Sequence, residues 1–104
     1  MIVVLGSVQV QEGKLQEALT LSQEHVLRSR EEPGCIEHGV SQNAENAGRL
    51  VFVERWDSMQ SLQAHFAVPA SRSFAKELAE LASAPATMAL YEASQIAPSG
   101  KRAA

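Results

Sequence analysis

A single cysteine, Cys35, excludes an intramolecular disulfide and with it any fold that depends on one. No apolar run approaches the roughly 20 residues that a helix needs to span a bilayer. Basic charge is sparse: 9 Lys and Arg stand against 12 Asp and Glu, for a net charge of −3 and a pI near 5.6. Phosphate backbones are gripped by clustered Lys and Arg, so nucleic acid is not an expected partner. Lys101 and Arg102 are too short a cluster to anchor a membrane and read as a solvated tail. Phosphate-cradling glycine motifs, internal repeats and low-complexity tracts are missing as well. Met1 leads into a strand-like run without the basic stretch and cleavage site of an export signal, so a reducing cytoplasm is the expected location.

What is present is an ordinary globular mixture, 45% hydrophobic and 20% charged, with length enough for one core and one pocket. From Ile2 to Gln11 the residues alternate: Ile2, Val4, Val8 and Val10 point one way, Val3, Leu5, Ser7 and Gln9 the other. A helix follows to about Arg30, capped by Gly13, with Leu15, Ala18, Leu19, Ser22, Val26 and Ser29 at helical spacing. Arg28 and Arg30 suit its carbonyl end, and Pro33-Gly34 stops it. Cys35 to Gln42 and Arg49 to Trp56 read as a hairpin across the turn Asn43 to Gly48. Asp57 and Gln60 suggest a capping box for a short helix that Pro69 interrupts. A second helical stretch carries Phe74, Leu78 and Leu81 to about Ala82, and Thr87 to Ser94 reads as the last strand.

The order β-α-β-β-α-β predicts an α+β, ferredoxin-like domain over residues 1–95, with an antiparallel sheet and helices on one face; residues 96–104 form a flexible tail. The first and third strands are apolar on both faces, with Val51 and Val53 opposite Leu50, Phe52 and Trp56. An antiparallel sheet normally shows a polar outer face to water, so a second covering layer is expected. In a chain this short the simplest layer is a second copy, which makes a homodimer the expected state.

Candidate chemistry centres on Glu54, which alternation places between Phe52 and Trp56 as one charge in an apolar row. It is either a functional carboxylate, its pKa raised by burial, that accepts a substrate proton or holds His65 in one tautomer, or half of an ion pair with Arg72 or Lys76. His65, three residues after Leu62, falls on the flank of an apolar stripe. It reads as a base at a pocket mouth or as a helix-surface histidine, and its replacement should then cost little stability. His38 fits a pocket wall or a satisfied core position, and Trp56 fits core packing or a stacking wall for a flat substrate. Phe66, Phe74 and Met88 read first as packing and second as pocket lining, and Cys35 as a small buried hydrophobe. His25 lies at the edge of the first helix, and His25, His38 and His65 are too scattered in sequence to suggest a metal cluster.

Three segments carry a family resemblance: Gly13-Lys14 at the helix start, the run Ser29 to Ile36 through Glu32, Pro33 and Gly34, and the run from Val53 through Glu54, Arg55, Trp56, Ser58, Leu62 and His65. With Leu90-Tyr91-Glu92 they resemble the antibiotic-biosynthesis-type monooxygenases, up to about Ala93. The resemblance implies a dimeric α+β barrel that oxygenates a small electron-rich phenol, quinol or anthrone with O₂, without flavin, haem or metal. It implies His65, Glu54 and Trp56 as catalytic residues and His38, Phe52, Phe66, Phe74 and Met88 around the substrate. His38 stands where the family often has tyrosine, and Ser7 where haem-degrading relatives have asparagine, which weakens a haem reading. A non-catalytic dimer that captures a hydrophobic ligand or haem, and a small-molecule isomerase, are the alternatives.

Overall fold

The computed structural model describes residues 1–98, so Lys101, Arg102 and most of the expected tail lie outside the described residues. Four strands and three helices follow one another as β1 (Ile2–Gln9), α1 (Leu15–Ser29), β2 (Cys35–Gln42), β3 (Arg49–Trp56), α2 (Met59–Ala67), α3 (Pro69–Leu81) and β4 (Thr87–Glu92). The sheet is antiparallel throughout, in the order β2-β3-β1-β4, which makes the fold ferredoxin-like α+β.

Alternation along β1 turns Ile2, Val4 and Val8 inward, and Val10 continues the row as an isolated bridge to Ala82. The strand ends two residues before the expected Gln11 because its partner β3 begins at Arg49, opposite Gln9. Likewise β4 stops at Glu92, not Ser94, since Glu92 pairs with Ile2 at the start of β1 and no strand remains beyond it. The β2–β3 hairpin has the expected limits, and Asn43 shapes its turn by accepting the Glu45 N–H on its side-chain oxygen at 2.8 Å.

Helix caps depart from expectation for local reasons. Gly13 is not the cap of α1: it takes φ +84° in the turn closed by Lys14 N–H to Gln11 O, and Lys14 becomes the cap. At α2 the cap is Ser58, whose hydroxyl accepts the Ser61 N–H at 3.1 Å. Asp57 is held one residue too early by its own N–H to Gly34 O and instead accepts the Ser61 hydroxyl at 2.6 Å. Pro69 forces Val68 to extended geometry, then opens α3 at its first turn, where a missing N–H costs nothing.

Gly34 ties these pieces together. Its φ is +84°, and an added Cβ would press on Ser61 and Asp57, so both backbone and space demand glycine. Gly34→Ala should destabilise the fold by about 1–2 kcal/mol from the left-handed backbone alone, read as a lower urea midpoint at unchanged slope.

Two apolar clusters form the core. One joins Val8, Val10, Ala18, Leu50, Phe52, Leu78 and Leu81; the other joins Ile2, Val4, Trp56 and Leu62. Between Phe52 and Trp56 on the inner face of β3 sits Glu54, so the seam between the clusters is polar. On the outer face Leu5 pairs with Val53 and Val3 with Tyr91; Leu5 (45% exposed), Val53 (36%) and Tyr91 (52%) leave apolar surface uncovered within one chain.

Candidate functional site

A cavity of about 250 Å³ opens between the sheet and α3. Its lining is mostly apolar and includes Phe52, Phe66, Phe74 and Met88. Gly6 contributes bare backbone to the wall, where a Cβ would stand 3.7 Å from that of Phe52. The polar lining includes His25, Glu54, His65, Ser71 and Arg72. Of the residues singled out from sequence, His38 and Trp56 do not line this space: both are fully buried behind it.

His65 projects from α2, only 3% exposed, because Leu62 seats the helix against Trp56 while the turn after α1 closes over the ring. Its Nδ1 lies 2.8 Å from Glu32 Oε1. A carboxylate only accepts, so Nδ1–H donates and the neutral ring keeps its lone pair on Nε2. Trp56 packs beside it, ring centres 4.7 Å apart and tilted by 34°. This corrects two expectations. His65 is not a lightly packed flank residue, and the carboxylate that orients it is Glu32, not Glu54. Nothing in the local sequence separates Glu32 from Glu31; only the Pro33-Gly34 reversal, which folds the turn back toward α2, selects it.

Glu54 does not pair with Arg72 or Lys76. On the inner sheet face it accepts the Trp56 indole N–H at 2.9 Å and lies 3.4 Å from His38 Nε2, an ion-pair distance rather than an aligned hydrogen bond. Burial pushes its pKa up, but His38, the Trp56 N–H and His65 together more than offset that push, so the carboxyl titrates below its usual range. The expected raised pKa is therefore reversed, and Glu54 is a poor proton acceptor near neutrality.

His25, on α1, is buried and stacked on Phe74 with ring centres 3.9 Å apart and planes 6° from parallel. Arg28 Nη2 donates to its Nδ1 at 2.7 Å. Burial, followed by His38, His65 and Arg28, lowers its pKa to about 3, so the ring is neutral. His38 has neither ring nitrogen hydrogen-bonded among the described residues, although it is 2% exposed. The three histidines are not scattered in space. Their ring centres lie 5.2, 5.3 and 5.5 Å apart, and their candidate ligand atoms all fall within 4.8 Å of one another. Sequence spacing hid this because the rings come from α1, β2 and α2, which meet only in the fold. The Cys35 thiol is half-buried and pushed up by burial and by Glu32 and Glu54, which keeps it in the protonated, unreactive form.

A four-stranded sheet with a cavity against its helices defines the class of small ferredoxin-like ligand pockets, and comparison narrows it. The chain belongs to the antibiotic biosynthesis monooxygenase family, whose sequence profile matches residues 1–77. The uncharacterized protein sll1783 of Synechocystis sp. is 32% identical over 91 residues, 88% of this chain. The chain spans 62% of the length of that relative. Among solved structures, a conserved protein from Methanosarcina mazei is 28% identical with a TM-score of 0.85, covering 89% of this chain and 92% of its own. A candidate antibiotic biosynthesis monooxygenase from Deinococcus radiodurans superposes with a TM-score of 0.88 at 22% identity, covering 93% and 96%. That lower identity speaks for the fold alone. Among the described residues no helix is long and apolar enough to cross a membrane.

Proposed function

We propose that this protein oxygenates a small electron-rich phenol, quinol or anthrone with O₂, the substrate itself supplying the electrons and no organic cofactor taking part. The observation that carries this reading is the Glu32–His65 pair on the wall of a largely apolar cavity. His65 Nε2 takes the phenolic proton, and Glu32 fixes the tautomer and stabilises the charge that arrives on the ring. The phenolate so formed transfers electrons to O₂. For an anthrone the balance closes without another reductant: one oxygen atom replaces two hydrogens at the reacting carbon and the other leaves as water. Phe52, Phe66 and Phe74 offer flat apolar surface for such a ring system, and Met88 stands at the exposed rim of the cavity. His38 and Trp56 act from behind, through Glu54 and His65.

Oxygen uptake with a panel of quinols and anthrones, in chelator-treated buffer against a protein-free control, tests the reaction. Uptake no faster than autoxidation across the panel would remove it. Quenching of Trp56 fluorescence by the same compounds without oxygen consumption would point instead to a ligand-binding protein.

The working unit we propose is a homodimer that buries the outer sheet face around Leu5, Val53 and Tyr91, apolar surface for which a monomer has no use. Sedimentation at micromolar concentration should give about twice the 11.2 kDa chain mass. Val53→Lys should shift the species toward monomer, since it sets a charge into an apolar contact of about 2,000 Å².

A further inference from the structure

We propose that His25, His38 and His65 together bind one divalent transition-metal ion on the inner wall of the cavity, with Glu54 as the neighbouring anion. Three observations point there. The rings form a nearly regular triangle, with candidate ligand atoms already within 4.8 Å of one another. With metal–nitrogen bonds of about 2.0–2.1 Å, tetrahedral ligands stand about 3.3 Å apart, so closure needs side-chain shifts of about 1.5 Å or less. Second, His38 is 2% exposed, yet neither ring nitrogen has a hydrogen-bond partner among the described residues: Nε2 meets the Glu54 carboxylate only at the longer ion-pair distance of 3.4 Å, and Nδ1 meets no partner. A buried imidazole left so is an uncommon cost, and a cation accepting its lone pair removes it. Third, His65 already hands its Nδ1–H to the Glu32 carboxylate, the outer arrangement that aims the other nitrogen of a metal-bound histidine.

Access and charge fit the same reading. His25, His65 and Glu54 all line the cavity, which provides an entry path and leaves a coordination position facing it. Three imidazoles beside a carboxylate suit Zn²⁺, Ni²⁺, Co²⁺ or Cu²⁺ and not Mg²⁺ or Ca²⁺, which prefer oxygen. One contact opposes loading. Because Arg28 donates to Nδ1 of His25, the proton of that neutral ring sits on Nε2, and the ring must either change tautomer or release Arg28 before it can offer the ion a lone pair. An ion on His65 also occupies the lone pair that accepts the substrate's proton, so the loaded protein does not turn over by the base route. The metal site does not rest on that route: the binding experiment uses no substrate, whereas turnover is measured in chelator, and either can fail alone.

Titration of the chelator-stripped chain with Co²⁺ tests the site. One ion per chain is expected, with visible ligand-field bands of a four- or five-coordinate centre. His38→Phe, which keeps a buried ring in place, should weaken Co²⁺ binding by about 10²-fold or more, and Glu32→Gln by about 10–10²-fold. Circular dichroism and sedimentation establish that each variant is folded; should His38→Phe not fold, His25→Gln is read for the same loss. Wild-type protein without bands or without saturation at one equivalent overturns the proposal, as does a folded His38→Phe or His25→Gln variant that binds Co²⁺ as the wild type does.

Discussion

Replacing His65 with glutamine should lower turnover of an oxidisable phenol by about 10²–10⁴-fold, the usual loss when a positioned general base is removed. Glutamine keeps a polar group facing Glu32 but carries no lone pair able to take a proton near neutrality. The remaining rate should rise with pH, because only substrate that ionises by itself can then react. Glu32→Gln should cost less than loss of the imidazole, because the ring stays in place and loses only its anionic partner. Neither change is silent for the fold. His65 is buried and hydrogen-bonded, so its loss should destabilise by about 1–3 kcal/mol, the cost of leaving a buried partner unsatisfied. Stopped-flow oxygen consumption and urea melts of the same preparations separate the two effects. Unchanged turnover in a folded His65→Gln variant removes His65 as the base, and Glu54, with its lowered pKa, is a weak replacement.

Acidification below pH 6.5 should erode stability well before the carboxylates begin to titrate, and His25 is the reason. Its folded pKa is lowered from 6.5 to about 3. Well above pH 6.5 the ring is neutral whether the chain is folded or not, and the group contributes nothing to the pH dependence. Between pH 6.5 and 3 the unfolded chain takes up a proton that the folded chain refuses, so unfolding is favoured as pH falls. The slope approaches about 1.4 kcal/mol per pH unit, which amounts to roughly 2 kcal/mol between pH 6.5 and 5 and several kcal/mol if the fold survives to pH 3. Urea midpoints in chelator-treated buffers across that interval measure it. His25→Phe, which preserves the stack on Phe74, should flatten the slope by about one proton. A variant that loses stability with pH as steeply as the wild type would show that other groups account for the loss.

The fold could be read from the chain to a large degree because its signals are local. The hairpin strands Cys35–Gln42 and Arg49–Trp56 are bounded by turn residues on both sides, and their limits came out as the pattern predicts. Errors fell where tertiary pairing decides: β1 and β4 end where their partners end, and the Asp57–Ser58 choice at α2 depends on a backbone bond to Gly34. The site was harder for the same reason. Glu54 stands out because it interrupts an apolar row, and alternation along β3 brings Trp56 beside it, but its partner His38 is fixed by the β2–β3 register, not by spacing from any helix. Glu32 and His65 are 33 residues apart and joined by a turn whose reversal carries no side-chain signature of its target. The histidine triangle draws on three elements, and no single helix or strand contains more than one of its members.

The position of β1 in the sheet has a kinetic side. The strand nearest the amino terminus lies between β3 and β4 and completes both ladders, pairing Ile2 with Trp56 and with Glu92. Only the β2–β3 hairpin can form from neighbouring residues. Closing the two long loops costs chain entropy before the ladders return any of it, and such non-local pairings slow folding relative to a helical bundle of equal size. The hairpin and α1 are therefore the natural early structure, and the cavity, whose walls include Gly6 on β1 and Met88 on β4, cannot take shape until the last and most distant pairing has closed.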